Sequence, residues 1–337
     1  MHTLLDPAIL FFVFGVLAGC LKSNLEIPPA ISRFLSLYLL MALGLKGGFA
    51  LSHSGLTPQV MTGLSLAVGL AITVPLLGYT LLRRVLSRFD AAAVAATYGS
   101  VSAVTFITAV GHLENQGVAY GGHMAAAMAL MESPAIILAV LFANAARQQA
   151  TAPVQASTSG AGVWVGGGAP HSGGFSIGKV LHESFTDGAQ LLLLGSMLVG
   201  LLTGDAGKAA MQPFSGDLFK GMLAFFLLDM GLTAARHLPD LRQQSPWLIA
   251  YGLLAPLIHA SLALGLCLWV GLPVGDTTLL MVLAASASYI AVPAVVRYAI
   301  PEANPSLYVG LSLGLTFPFN ILLGIPLYSE VAAFMVT

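Results

Sequence analysis

Charged residues are scarce in this sequence, and their scarcity narrows the class of protein. Of its 337 residues, 8% are Asp, Glu, Lys or Arg and 57% are hydrophobic, whereas about a quarter of the residues in a soluble domain are charged. The formal net charge of −1 provides no basic surface for phosphates, which excludes nucleic acid as a partner. The composition indicates an integral membrane protein in contact with the lipid bilayer.

Cysteines and catalytic motifs are also rare. The two cysteines, Cys20 and Cys267, lie within apolar segments, and we expect both to be small packing residues rather than a disulfide or metal site. Neither HExxH nor CxxC occurs, and His112 and His123 are eleven residues apart, a spacing that matches no usual metal-ligand pattern. We therefore expect no enzymatic activity and no cofactor.

Apolar stretches recur along the whole chain. Ten of them are long enough to cross a bilayer, and they cover residues 7–21, 30–50, 60–82, 92–111, 120–146, 181–203, 213–235, 247–271, 276–300 and 306–334. A stretch rich in Gly, Ser, Ala and Pro separates the two sets of five and has the composition of a flexible linker. The sequence thus predicts a five-helix domain at 1–147, a cytoplasmic linker at 148–178 and a second five-helix domain at 179–337.

Basic residues favour one set of alternate helix ends. The three exceptions are Lys46, Lys208 and Lys220, and the other ten are Lys22, Arg33, Arg83, Arg84, Arg88, Arg147, Lys179, Arg236, Arg242 and Arg297. Cytoplasmic ends carry the excess of Lys and Arg. This distribution predicts that both termini lie outside and that the linker lies in the cytoplasm.

The two halves of the chain resemble each other. DPAILFFVFGVLAG at 6–19 matches DGAQLLLLGSMLVG at 187–200, and in the fourth span of each half a pair of serines recurs, Ser100 and Ser102 in the first and Ser286 and Ser288 in the second. Because each half has an odd number of spans, the second must enter the membrane from the opposite side. This predicts the inverted-repeat plan of secondary transporters, with a binding site where the broken helices of the two halves meet.

The serine spacing itself predicts a break in each helix. Residues two apart point about 200° from each other in a helix but share a side in extended backbone. We expect Gly99 to supply backbone freedom in the first copy and Pro293 to remove a backbone donor in the second. A break exposes amides that attract anions and carbonyls that attract cations, so the pattern predicts a site for a small oxyanion carried with a cation. The alternative is close helix packing through small residues.

Four further polar residues are candidates for the same site. Glu132 and Asp229 are carboxylates within apolar spans, where the cost of burial favours a function; the alternative for Asp229 is a structural pair at a helix end. Thr316 and Asn320 are four residues apart and can share one helix face.

Together these stretches resemble the sodium-dependent bicarbonate transporter family, the SbtA-like permeases. The resemblance rests on LDPAILFFVFGVLAG, MALGLKGG, YGSVSAVTFITA and ASASYIAVPAVVR and covers nearly the whole chain. It implies an all-α integral membrane protein of about ten transmembrane helices, arranged as two inverted five-helix repeats with crossed broken helices. It also implies a homotrimer of the bacterial inner membrane that imports bicarbonate by symport with sodium, the coupling ion.

The resemblance also implies site residues and a partner. The family's binding site corresponds by motif to Gly99, Ser100, Ser102, Thr105, Ala287 and Ser288, and we expect sodium to bind through Ser100, Ser102, Ser288 and Glu132. Cyanobacterial members are inhibited by a PII-like regulatory protein, but the short linker here lacks a charged docking segment, which argues against that partner.

Three alternatives remain open at the level of sequence. A sodium/proton antiporter also uses crossed broken helices, but its chemistry needs a carboxylate at the break, where this chain has serines. A transporter of another small carboxylate or oxyanion fits the hydroxyl-rich site equally well. An anion-binding membrane receptor is the third alternative.

Overall fold

The computed structural model describes residues 6–55, 57–151, 188–241 and 244–336, and every regular element in these ranges is helical. The helices are α1 (Pro7–Cys20), α2 (Pro29–Ser54), α3 (Pro58–Leu82), α4 (Arg88–Gly99), α5 (Ala103–Gln116), α6 (His123–Thr151), α7 (Gly188–Met211), α8 (Phe219–Leu241), α9 (Pro246–Val270), α10 (Val274–Ala285), α11 (Ala291–Ala299) and α12 (Pro305–Val336). Seven helical stretches in these ranges have the length and hydropathy of a membrane span, and α1 and α10 are shorter apolar helices.

Parts of the predicted organisation lie outside the described residues. Helix α6 continues to Thr151, so it includes the first residues of the predicted linker at 148–178, and the remainder of that linker is not among the described residues. Lys179 and Arg242, two of the basic residues used to predict orientation, are also outside the described ranges.

Helix starts follow sequence signals. Proline occupies the first position of α1, α2, α3, α9 and α12, where its missing N–H costs no helical hydrogen bond. The side chain of Asp6 accepts a hydrogen bond from the Ala8 amide at 2.8 Å, and Ser245 likewise caps α9. Such capping satisfies amides that the first helical turn leaves without partners.

Two helix pairs pack at backbone distance through glycine. A Cβ atom on Gly15 of α1 would lie 2.3 Å from the carbonyl oxygen of Leu228 in α8, and a Cβ on Gly48 of α2 would lie 2.1 Å from that of Met197 in α7. Only glycine permits these approaches. We call α1, α2, α7 and α8 the glycine-packed set; it combines two helices from each half of the chain.

The remaining helices enclose the two serine stretches. Helices α4 and α10 pack among α3, α6, α9 and α12. Both are almost completely buried; the buried residues of α4 are mostly alanine, whereas those of α10 are mostly larger side chains such as leucine. Helix α12 widens to i→i+5 hydrogen bonding over Gly310–Thr316 and Asn320–Gly324, a local geometry that is frequent at functional sites.

The two cysteines differ in their surroundings. Cys267 is fully buried in the core, as predicted, but Cys20 is exposed at the last turn of α1. The prediction of a packing role is wrong for Cys20, because its position on the helix faces away from the neighbouring helices.

Candidate functional site

Both serine stretches interrupt a helix. Helix α4 ends at Gly99, Ser100 has extended backbone (φ −97°, ψ 178°), and α5 begins at Ala103. Helix α10 ends at Ala285 and α11 begins at Ala291. The breaks predicted from the serine spacing are therefore confirmed.

Gly99 and Pro293 act differently from the prediction. Gly99 is the last residue of α4 and does not have positive φ; a Cβ there would lie 2.5 Å from Cβ of Pro75, so glycine lets α3 and α4 pack closely. Pro293 is the third residue of α11, where an amide has no helical acceptor to lose. The predicted roles, backbone freedom for Gly99 and loss of a backbone donor for Pro293, are thus wrong.

The two breaks hydrogen-bond to each other. The Ser288 amide donates to the carbonyl oxygen of Thr97 at 2.8 Å, and the Ser102 amide donates to Oγ of Ser286 at 3.0 Å. These bonds satisfy backbone groups that the breaks leave without helical partners. The stretches matched in sequence therefore meet in space.

Serine hydroxyls also cap the two half-helices that follow the breaks. Oγ of Ser102 accepts from the Thr105 amide at 3.2 Å, and Oγ of Ser288 accepts from the Val292 amide at 3.2 Å. Each hydroxyl retains its own proton as a donor. Ser102 is the N-cap residue of α5, whereas Ser288 lies two residues before Ile290, the N-cap residue of α11, so the two caps are similar but not identical.

Both capped starts line one cavity of about 260 Å³, which we call the serine cavity. Its polar lining residues are Ser36, Ser102, Glu132, Gln190, Ser288 and Tyr289, and the first residues of α5 and α11 are among its apolar lining residues. Helix N-termini carry a partial positive charge. Two helix N-termini therefore contribute positive partial charge to this cavity.

Glu132 contributes a carboxylate to this cavity. Gln190, on α7 of the glycine-packed set, donates a hydrogen bond through Nε2 to Oε2 of Glu132 on α6. Gln190 was not predicted, although an amide inside an apolar helix is a signal that sequence reasoning can use. The contact joins the glycine-packed set to the helices around the breaks.

Other predicted residues are buried next to the cavity but do not line it. Ser100 is 1% exposed and its Oγ has no hydrogen-bond partner among the described residues. Thr105 and Ala287 are also buried. A buried hydroxyl without a partner costs free energy, which makes Ser100 unusual among the described serines of the two breaks.

Thr316 and Asn320 support the broken helices from α12. Thr316 Oγ1 donates to the carbonyl oxygen of Gly252 at 2.8 Å and lies 2.6 Å from the Tyr98 hydroxyl. Asn320 Nδ2 donates to the carbonyl oxygen of Ala285, the last residue of α10, at 2.9 Å. Both residues face the breaks, but the structure does not place them in the serine cavity.

Asp229 lies apart from the serine cavity. It is buried in α8, and Ser32 donates a hydrogen bond to its carboxylate. Within the described chain, no group of three or more His, Cys, Asp or Glu side chains is placed to hold a metal ion. A sodium ion would need oxygen ligands from hydroxyls and carbonyls instead.

One further sequence motif lacks the local structure that its catalytic role would require. Residues 310–314 read GLSLG, the pattern of a hydrolase nucleophile turn. That turn joins a strand to a helix, whereas Ser312 lies inside α12 and donates to the carbonyl oxygen of Tyr308 at 2.8 Å. The match therefore carries no catalytic meaning.

Comparison with known proteins identifies a family. No curated protein matches the chain. The family model described as the Na⁺-dependent bicarbonate transporter superfamily matches residues 7–333, nearly the whole length. Together with the apolar helices, this match identifies a membrane transporter rather than an enzyme, and the chain belongs to the Na⁺-dependent bicarbonate transporter superfamily.

Proposed function

We propose that the protein imports bicarbonate by symport with sodium. The observation that carries the proposal is the convergence of two capped half-helix starts on the serine cavity. Bicarbonate is a small planar anion that cannot cross lipid, and positive helix ends with hydroxyl donors suit it. Its site would be formed by Ser102, Ser288 and the first amides of α5 and α11.

Sodium binding is proposed at the ends of the preceding half-helices. Helices α4 and α10 end with carbonyl groups that carry partial negative charge. The unpartnered hydroxyl of Ser100 follows directly on α4, and Glu132 adds a negative charge to the serine cavity. A cation beside the anion would compensate its charge, and an inward sodium gradient would drive uptake.

The proposed architecture is ten transmembrane spans in two inverted five-helix repeats, at 1–147 and 179–337. Two hydrogen bonds support the inversion. The Asn304 amide, after α11, donates to Oδ1 of Asp90 near the start of α4 at 2.8 Å, and the Gly121 amide, after α5, donates to Oδ1 of Asp276 near the start of α10 at 2.6 Å. The two broken helices thus run in opposite directions.

The remaining proposals concern the surroundings of the protein. The excess of basic residues at alternate helix ends favours both termini outside. A homotrimer in the bacterial inner membrane follows from the family resemblance, and mass measurement in detergent tests it, because a monomer would contradict it. Co-purification tests the PII-like regulatory partner, which the linker composition argues against.

The decisive experiment is uptake of labelled bicarbonate into proteoliposomes at fixed pH. An inward sodium gradient is compared with an equal potassium gradient. We expect uptake with sodium only. Uptake of formate or nitrate instead of bicarbonate would keep the transporter and change its substrate to another small carboxylate or oxyanion.

A sodium/proton antiporter is the second candidate, because Glu132 gives the serine cavity the carboxylate that such exchange requires. The same proteoliposomes distinguish the two functions. Antiport predicts sodium-driven alkalinisation of the lumen in bicarbonate-free buffer, whereas symport predicts none. Replacing Glu132 with Gln would abolish antiport but leave sodium-driven bicarbonate uptake measurable.

A further inference from the structure

A groove lies between α3 and α9 on the surface of the helix bundle. It has a volume of about 240 Å³ and is lined by Leu77, Gly78 and Leu81 near the end of α3 and by residues of α9 between Trp247 and His259. We call it the α3–α9 groove. None of its lining residues lines the serine cavity.

The surface that the groove offers is apolar. The side chains of Leu77, Leu254 and Ile258 in its lining are exposed. The hydroxyl of Tyr251 and Nδ1 of His259, which belong to the same lining, are enclosed by protein. Both α3 and α9 have the length and hydropathy of a membrane span. The groove therefore lies at membrane depth, where hydrocarbon rather than water fills it.

Trp247 marks the end of the groove that meets the membrane surface. It is the second residue of α9, and its indole stacks on the ring of Tyr251 with the ring centroids 5.9 Å apart. Tryptophan favours the level of the lipid headgroups. Leu81, the last groove residue of α3, comes directly before Leu82, where that helix ends. The end of α3 and the start of α9 thus reach the headgroups at the same place.

Two arginines directly follow α3 at this end. Arg83 and Arg84 are exposed, and neither has a hydrogen bond or an ion pair with any residue that the structure describes. Both follow Leu81 of the groove within one helical turn. A guanidinium carries its N–H donors in a planar fork that matches the oxygens of a phosphate. The apolar groove therefore ends beside two groups that suit a phosphate.

The nearest carboxylate along the chain does not neutralise these arginines. Asp90 accepts hydrogen bonds from the Ser87 hydroxyl at 2.7 Å and from the Asn304 amide at 2.8 Å. Its carboxylate is therefore engaged at the start of α4. The positive charge of Arg83 and Arg84 is left to attract a negatively charged partner from outside the chain.

We propose that the α3–α9 groove binds an anionic phospholipid. Its acyl chain lies along Leu77, Leu254 and Ile258, and its headgroup phosphate contacts Arg83 and Arg84. A zwitterionic phospholipid fits the same apolar surface, but it has no net charge for the arginines to attract, so the site selects the anionic lipid. Lipid binding at this site does not depend on the proposed transport of bicarbonate.

Fluorescence quenching by brominated lipid tests the site, because Trp247 lines the groove whereas Trp269, near the other end of α9, does not. Two single-tryptophan proteins combine Trp164→Phe with either Trp269→Phe or Trp247→Phe. Each is reconstituted into phosphatidylcholine vesicles with graded amounts of acyl-brominated phosphatidylglycerol or acyl-brominated phosphatidylcholine. We expect half-maximal quenching of Trp247 at an about tenfold lower mole fraction of the phosphatidylglycerol. Trp269 should be quenched equally by both lipids.

Two variants separate the contribution of charge from that of the groove in the same measurement. The double variant Arg83→Gln/Arg84→Gln should lose the preference for phosphatidylglycerol, whereas Arg33→Gln, at an exposed arginine of α2, should keep it. Ala250→Phe fills the groove and should also lose the preference. Gly265→Phe is its control, because an added side chain there meets open space on the same helix. Each variant is measured after it elutes as a single symmetric peak in gel filtration.

Four results would overturn the proposal. Equal quenching of Trp247 by the two brominated lipids would leave only an unselective lipid contact. An equal loss of preference in Arg33→Gln and in the double arginine variant would assign the preference to general surface charge. A preference that survives Ala250→Phe would separate it from the groove. Absence of quenching of Trp247 by either lipid would show that protein, such as a second copy of this chain, covers the groove.

Discussion

Helices α5 and α11 begin alike and end differently. Both start at a break, both are capped by a serine hydroxyl, and both starts line the serine cavity. At its far end α5 is bound to the glycine-packed set, where Lys46 on α2 lies 2.9 Å from Glu114. Helix α11 is held instead by Arg147 on α6, which donates to the carbonyl oxygen of Ala299 at 2.9 Å.

The difference separates two requirements on a broken helix. Under the proposed function, the start must present amides and hydroxyls to the transported anion, and at both starts a serine hydroxyl accepts from an early amide of the helix. The end decides which neighbours the half-helix is attached to. Any displacement of the glycine-packed set relative to α5 must break the contacts of Glu114 with Lys46 and of Asn115 with Asp6 and Lys220.

The largest effect on uptake is expected from filling the serine cavity at the starts of α5 and α11. Ser102→Leu and Ser288→Leu should each reduce bicarbonate uptake to background, because each adds an apolar side chain to a cavity of about 260 Å³ and removes a helix cap. Ser65→Leu, on an exposed face of α3, is the matched control and should transport normally. Normal uptake by either cavity variant would show that the starts are not the site.

The next-largest effects are expected at the two serines that follow α4 and α10, Ser100 and Ser286. Ser286 Oγ donates to the carbonyl oxygen of Leu283 and accepts from the Ser102 amide, so Ser286→Ala should destabilise the protein by about 1–3 kcal/mol. Ser100 Oγ has no such partner, so Ser100→Ala should leave stability unchanged and raise the sodium concentration for half-maximal uptake about tenfold. Thermal unfolding measures the stability of each variant, and uptake at graded sodium concentrations measures its sodium requirement. A Ser100→Ala variant less stable than Ser286→Ala would refute the predicted difference between the two serines.

A smaller effect is expected at Glu132. Glu132→Gln keeps the size of the side chain but removes its charge, so the sodium requirement should rise about fivefold, which corresponds to about 1 kcal/mol. Uptake at graded sodium concentrations measures it. An unchanged sodium requirement would assign Glu132 to the contact with Gln190 and to structure alone.

The smallest effect is expected at the far end of α11. Hydrogen bonds from the Arg147 guanidinium lower the pKa of Glu302 in the following loop. A lowered pKa stabilises the fold at neutral pH, and that contribution disappears as the pH falls through the pKa of Glu302 in the folded protein. The pair is partly exposed, so Glu302→Gln should cost at most about 1 kcal/mol at pH 7 and nothing at low pH. Unfolding temperatures of the wild type and of Glu302→Gln, measured from pH 7 to low pH, test this prediction. A destabilisation by Glu302→Gln that increases on acidification would contradict it.

Sequence reasoning found the features that depend on local spacing. The separation of Ser100 from Ser102 was enough to predict a break, and a carboxylate in an apolar span was enough to select Glu132. It did not find Gln190, and it grouped Asp229, Thr316 and Asn320 with a cavity that they do not line. Which face of one helix meets which neighbour depends on tertiary packing, which a single sequence does not specify.

The reason for Gly99 shows the same limit. Glycine in a sequence indicates either a special backbone angle or a close approach, and the choice between them depends on Pro75, which is distant in the chain but in contact with Gly99.

The glycine contacts of α2 with α7 also have a mechanical meaning. With Gly48 against the backbone of Met197, no layer of side chains separates these helices at this point, so we expect the pair to move as one rigid unit. A pair of spin labels on α2 and α7 would keep a fixed distance throughout a transport cycle. Labels on α2 and α11 would report any movement of this pair relative to the broken helices.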